Sequence, residues 1–210
     1  MPVENDIFIS YAHLDNESPI EGRGGWVTTF HRALEVRVGQ LLGRKPRIFR
    51  DLKLDRAKPF PEELEQRLST TTLLVCILSP GYVESAWCRR ELTAFLRHEG
   101  AVEAGRVFKV AKTHLKIDDH PEALREVLGH DFFVKDDEVV RDLDQTFSTK
   151  ELQDKYWVML DDLARAITRR LKELKTSTNE PRLPEPSSMA NRLEIELKIK
   201  RPFDQFSKEN

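Results

Sequence analysis

The sequence predicts an α/β domain in which a parallel sheet is covered by helices on both faces. Three observations carry that expectation. Residues 73–78 (Leu-Leu-Val-Cys-Ile-Leu) are an unbroken apolar run of strand formers ended by Ser79-Pro80-Gly81, as expected of a strand buried on both sides. Residues 6–11 (Asp-Ile-Phe-Ile-Ser-Tyr) form a second such run close to the amino terminus. Between and after these runs, apolar residues recur at helical spacing, and alternation of strands with helices is the signature of a doubly wound parallel sheet.

In chain order, the first strand stops at Ala12-His13-Leu14-Asp15-Asn16, and a loop through Gly22-Arg23-Gly24-Gly25 follows. Trp26, Phe30, Leu34, Val38, Leu41 and Leu42 then fall at three- and four-residue intervals, which predicts an amphipathic helix over 26–42 closed by Gly43. Residues 47–50 read as a short strand after Pro46, and 51–58 as a charged loop ending in Pro59-Phe60-Pro61. Pro61 opens a helix over 62–68 with acidic residues in its first turn, where they complement the helix dipole. After the central strand, Ser85 is placed to cap a helix running from Trp87 to Glu99. Gly100 and Gly105 bracket a break, 106–115 reads as a fourth strand, 121–128 as a short helix and 132–134 as a fifth strand followed by an acidic loop. A long helix spans 150–174 with Leu152, Tyr156, Trp157, Leu160, Leu163, Ile167 and Leu171 along one side.

Residues 1–175 are thus expected to form one domain, 176–191 a linker marked by Pro181, Pro184 and Pro186, and 192–210 the start of a further domain or tail. Residues 193–199 alternate like a strand, and a lone strand does not stabilise itself. The expectation is that the chain is cut from a longer protein whose next domain starts near Asn191.

Composition narrows the function classes. A net charge of -2, with 39% apolar and 33% charged residues, offers no bulk attraction to nucleic acid or an anionic membrane. The amino terminus lacks the basic and apolar regions of a secretory signal, and no apolar run approaches the roughly 20 residues that span a bilayer. A cytoplasmic protein is expected. Cys76 and Cys88 have neither metal-ligand nor redox spacing and suit a reducing compartment, and the six histidines show no metal-ligand pairing.

Trp87 and Glu91 are four residues apart, so on a helix they share one face near the carboxyl edge of the sheet, where open α/β folds place ligands. Ser10 and Tyr11 end the first strand beside that edge; Phe49, Arg50 and Asp51 open the charged loop. The glycines at 22, 24 and 25 do not make a dinucleotide fingerprint, because about ten residues separate them from the first strand. Flexibility of the loop is the expected reason for them. A phosphoacceptor receiver domain is disfavoured because the central strand ends in Ser79 where an aspartate is needed.

Three segments together resemble the Toll/interleukin-1 receptor (TIR) family, particularly its bacterial NAD-cleaving members. They are Asp6-Ile7-Phe8-Ile9-Ser10-Tyr11; Phe49-Arg50-Asp51; and Leu78-Ser79-Pro80-Gly81-Tyr82 followed by Ser85-x-Trp87-Cys88-x-x-Glu91. The resemblance covers about residues 5 to 172. It implies a flavodoxin-like, five-stranded doubly wound fold and one of two functions. The first is an enzyme that cleaves NAD between nicotinamide and ribose in a bacterial immune or cell-death response, activated by self-assembly, with a carboxyl-terminal sensor domain missing from this chain. The second is a non-catalytic scaffold for protein assembly. The enzyme reading makes Glu91 catalytic, gives Trp87, Ser10, Tyr11, Phe49 and Asp51 to the substrate, and needs neither cofactor nor metal, NAD being the substrate. The loop after the second strand commonly carries a Pro-Gly turn in this family, whereas here it reads Lys53-Leu54-Asp55-Arg56-Ala57-Lys58-Pro59.

Overall fold

A parallel five-stranded sheet of order β2-β1-β3-β4-β5 organises the chain. The computed structural model describes residues 5–50, 62–97, 100–136, 139–145 and 149–179. The strands are β1 (Asn5–Ser10), β2 (Ile48–Arg50), β3 (Thr71–Leu78), β4 (Val107–Ala111) and β5 (Gly129–Asp131). All four pairings are parallel, with Phe8 beside Leu74 and Phe49, and Ser10 beside Cys76. From β1 the chain steps outward to β2, then crosses back to β3 on the other side. The carboxyl ends of β1 and β3 therefore flank the point where the winding reverses, the crevice in which this class of sheet binds ligands.

Helices cover both faces because every second residue of each central strand points to each side. On one face Ile7, Ile9, Leu73, Val75 and Ile77 pack against Trp26, Phe30, Leu34 and Val38 of α1 (Trp26–Leu42) and Tyr156, Leu160, Leu163 and Ile167 of α6 (Lys150–Asn179). On the other, Phe8, Leu74, Cys76 and Leu78 meet α2 (Glu62–Ser69), α3 (Pro80–Glu84) and α4 (Ala86–Leu96) through Leu68, Tyr82, Trp87, Cys88, Leu92 and Phe95. Each fully buried side chain of this size contributes about 1.5–3 kcal/mol of transfer free energy, so these two layers hold the fold. An ion pair ties β1 to the loop before β2: Asp6, 2% exposed, accepts from both terminal nitrogens of Arg44 at 2.7 and 2.8 Å and from the backbone N–H of Arg47 at 2.8 Å.

Several expectations need correction. The fifth strand is Gly129–Asp131 rather than 132–134. It lies at the sheet edge with its side chains largely exposed, so no apolar run marks it. Phe132 is a core residue at the turn-off, and 133–134 belong to an antiparallel hairpin, β6 (Phe133–Asp136) with β7 (Val139–Asp142), where an acidic loop was expected. The fourth strand is confined to Val107–Ala111, and the helix after it, α5, to Glu122–Arg125. Trp157 leaves the apolar side of α6 and is 47% exposed, because its neighbour Tyr156 takes the core position and successive residues lie about 100° apart round a helix.

Residues Met1–Leu174 form one compact unit and Lys175–Asn210 a second. Residues 175–179 are the helical end of α6. The remaining linker, the strand over 193–199 and the charged loop 51–58 lie outside the described residues. Among the described residues, no helix is long and apolar enough to cross a membrane.

The glycine loop is built for close approach, not only for flexibility. Gly25 caps α1 at an ordinary φ of -70°, yet a Cβ there would lie 1.7 Å from the carbonyl oxygen of Asn16. Asn16 comes that near because its Oδ1 accepts from the backbone N–H of Thr28 at 2.7 Å and the hydroxyl of Thr28 at 3.0 Å, supplying the cap a glycine lacks. Gly25→Ala is therefore expected to destabilise the domain by about 1–3 kcal/mol, read from the urea midpoint.

Histidine burial gives the fold a pH dependence. His31, His120 and His130 are each held below the ordinary value of 6.5, first by burial and, for His31 and His120, next by the charges of Arg50 and Lys109. The folded state prefers the neutral ring while the unfolded chain titrates near 6.5, so this contribution is complete above that pH and is lost as pH falls through the lower folded values. The urea midpoint is expected to fall between about pH 7.5 and about pH 6, and His31→Gln to flatten that slope.

Candidate functional site

Two serine caps in quick succession build the site at the carboxyl end of β3. Ser79 ends the strand, and its Oγ accepts from the backbone N–H of Tyr82 at 3.0 Å, starting α3 with Pro80 in the first turn. Ser85 ends α3 and caps α4 through the backbone N–H of Cys88 at 3.2 Å. The reversal drops Tyr82 into the core with no exposed surface and aims the Trp87–Glu91 face of α4 back at β1.

Glu91 is 2% exposed. Its Oε2 accepts the Ser10 hydroxyl at 2.5 Å and its Oε1 accepts the indole N–H of Trp87 at 3.0 Å. Hydrogen bonds to an ionised group are stronger than neutral ones, and burial removes the competing water. The Tyr82 hydroxyl lies 3.3 Å from Ser10 Oγ. A serine has one proton; with that proton given to a carboxylate, Tyr82 is the donor in this contact. Burial holds the Tyr82 phenol well above its usual value, and likewise pushes the neighbouring Cys76 thiol up to about 12, so both stay protonated. Cys88 is fully buried, in keeping with a packing role.

A second polar group flanks the first. The Ser79 hydroxyl donates to Asp15 Oδ2 at 2.6 Å, and Lys112 Nζ lies 3.8 Å from Asp15 and 3.6 Å from Asp142. Burial raises Asp15, opposed by the Ser79 hydrogen bond and by Lys112. A cavity of about 180 Å³ opens here, lined by Asp15, Trp26, Lys112, Asp142 and Asp144 among others. Neither Asp15 nor Lys112 was among the sequence-derived candidates. The available signal was their position, each just past the carboxyl end of a strand.

Of the residues expected at the site, the structure joins Ser10, Trp87 and Glu91. Ser10 has no exposed surface, and its hydroxyl donates to the Glu91 carboxylate. Tyr11 points to the opposite face of the sheet, within the α1 and α6 core, and stacks on His13 at 5.8 Å. Phe49 packs against Phe8, ring centroids 5.4 Å apart, with the Arg67 guanidinium 4.8 Å above it. Asp51 lies outside the described residues. Arg50, not counted among the site candidates, sits 6.0 Å from the Tyr11 ring and donates to Thr28 Oγ1 at 3.1 Å, while its Nε and Nη1 have no partner among the described residues. No group of three His, Cys, Asp or Glu side chains among the described residues is placed to hold a metal ion.

A family model described as TIR domain matches residues 7–147, two thirds of the 210-residue chain. Among solved structures, the TIR domain of the Toll-related receptor TRR-2 from Hydra magnipapillata is similar at 18% identity and a TM-score of 0.42, covering 77% of this chain and 98% of that one. The TIR domains of the activated Roq1 resistosome directly recognizing the pathogen effector XopQ are similar at 16% identity and a TM-score of 0.39, covering 94% of this chain and 100% of that one. No curated protein matches the chain in sequence.

The indole contact is separable from the bulk of its ring. Trp87→Phe keeps an aromatic in the core but leaves Glu91 Oε1 without this donor, and the expected cost is about 1.5–3 kcal/mol in urea unfolding with an unchanged denaturant slope.

Proposed function

This chain belongs to the TIR domain family, and on that premise we propose that it is an NAD glycohydrolase that releases nicotinamide in a bacterial immune or cell-death response. The single observation that carries the reading is the buried carboxylate of Glu91, held at both oxygens by Ser10 and Trp87 beside the reversal point of the sheet. Burying a carboxylate is costly and hydrogen bonds only offset that cost, which supports a chemical role for the group.

The chemistry asks for one acid side chain. Nicotinamide departs from a cationic ring as a neutral molecule and needs no proton. Positive charge develops instead on the ribose, and a preplaced carboxylate in a dry site stabilises it, as in glycoside cleavage. Trp87 gives its N–H to that carboxylate. At 2% exposure Glu91 is closed to a nucleotide in this state, so turnover requires a rearrangement, and we assign that event to self-assembly.

A second reading, a non-catalytic assembly module, is favoured by a different observation. A groove of about 710 Å³ runs between α1 and α6, lined by Ala33, Val36, Trp157 and Leu160, with Trp157 and Val36 well exposed.

Nicotinamide release from NAD by the chain clustered on beads separates the two. Wild type is expected to turn over, and Glu91→Ala to lose on the order of 10²-fold or more. Intact NAD after incubation with clustered wild type leaves the scaffold.

A further inference from the structure

We infer that Ser10, held in turn by Tyr82, is the positioning residue for Glu91; the inference rests on the NAD-cleaving reading above. Its neighbours in β1, Ile7, Phe8 and Ile9, are all apolar and fully buried, and Ser10 is equally buried. A hydroxyl at zero exposure is destabilising unless satisfied, and an apolar residue would fill that strand position at no such cost. Ser10 is satisfied on both sides: it gives its proton to Glu91 Oε2 at 2.5 Å and accepts from Tyr82 at 3.3 Å. Cys76 of β3 is buried beside Tyr82 in the same layer.

The network ties together three elements: β1 through Ser10, α3 through Tyr82 and α4 through Glu91 and Trp87. With one oxygen held from β1 and the other from within α4, the carboxylate plane is defined by two different elements. Ser10 thus acts through Glu91 and not on the substrate. Among the described residues, Cys76, Tyr82 and Cys88 are titratable groups in this network's surroundings. Cys76 and Tyr82 stay protonated through the neutral range, so they do not obscure a titration of the carboxylate.

Turnover by the clustered chain and a titration of the Glu91 carboxyl carbon by NMR test this together. Ser10→Ala is expected to lower kcat about tenfold with KM within about twofold. It should also move the acid limb of the pH profile upward by about one unit, because the lost donor favoured the ionised form. Tyr82→Phe is expected to shift both in the same direction by less, and Ser10→Thr, which retains a hydroxyl, to recover most of the loss. The NMR midpoint should rise in Ser10→Ala whether or not NAD is cleaved. A midpoint and kcat equal to wild type in folded Ser10→Ala overturn the inference. Absent nicotinamide release from clustered wild type overturns the enzyme reading alone, and the NMR titration still decides whether Ser10 governs the carboxylate. Should Ser10→Ala prove unfolded by its melting curve, the same titration of Tyr82→Phe decides, an unmoved midpoint counting against the inference.

Discussion

The hydrogen bond from Ser10 to Glu91 is the constraint on which the arrangement of this domain's carboxyl edge depends. A carboxylate buried without donors would cost far more than a domain of this size has to spare, and two donors aimed at its two oxygens bring that cost within reach. Once that bond is required, β1 must lie directly beside β3, α4 must pack across the pair, and the chain between β3 and α4 must reverse within a few residues. The caps at Ser79 and Ser85 accomplish the reversal.

The two faces of the sheet consequently differ in character. Under α1 and α6 the packing is aromatic and aliphatic, with Trp26, Phe30, Phe132 and Tyr156 in mutual contact at 5.0 to 6.3 Å. Under α3 and α4 a hydroxyl, a phenol, two thiols and a carboxylate are threaded through an otherwise apolar layer. Strand alternation explains why Ser10 and Tyr11, adjacent in sequence, serve different layers. What sets the second layer apart is that its hydroxyl and carboxylate are joined by hydrogen bonds at the point where strand order reverses.

At the rim the balance is different. Arg50 has a desolvated guanidinium with two nitrogens unmatched among the described residues, and burial lowers its proton affinity. Asp15 and Lys112, by contrast, offset one another beside a small cavity. These groups belong to strand ends and the loops that follow.

Much of the fold was legible from local pattern. The bounds of α1, from Trp26 to the left-handed Gly43, the serine cap of α4 and the same-face pairing of Trp87 with Glu91 all follow from periodicities that span a few residues, which short-range sterics and hydrogen bonding enforce. The edge strand β5 was not legible, because a half-exposed edge needs no apolar run. The cap that Asn16 lends to a glycine-started helix was hidden for a related reason: its partner is twelve residues away. Sequence by itself therefore determined which segments become strands and helices, and that one acid shares a helix face with one tryptophan. Only the tertiary structure decided that a serine 81 positions earlier would hold that acid, since contacts between distant segments depend on strand order and leave no periodic trace in the chain.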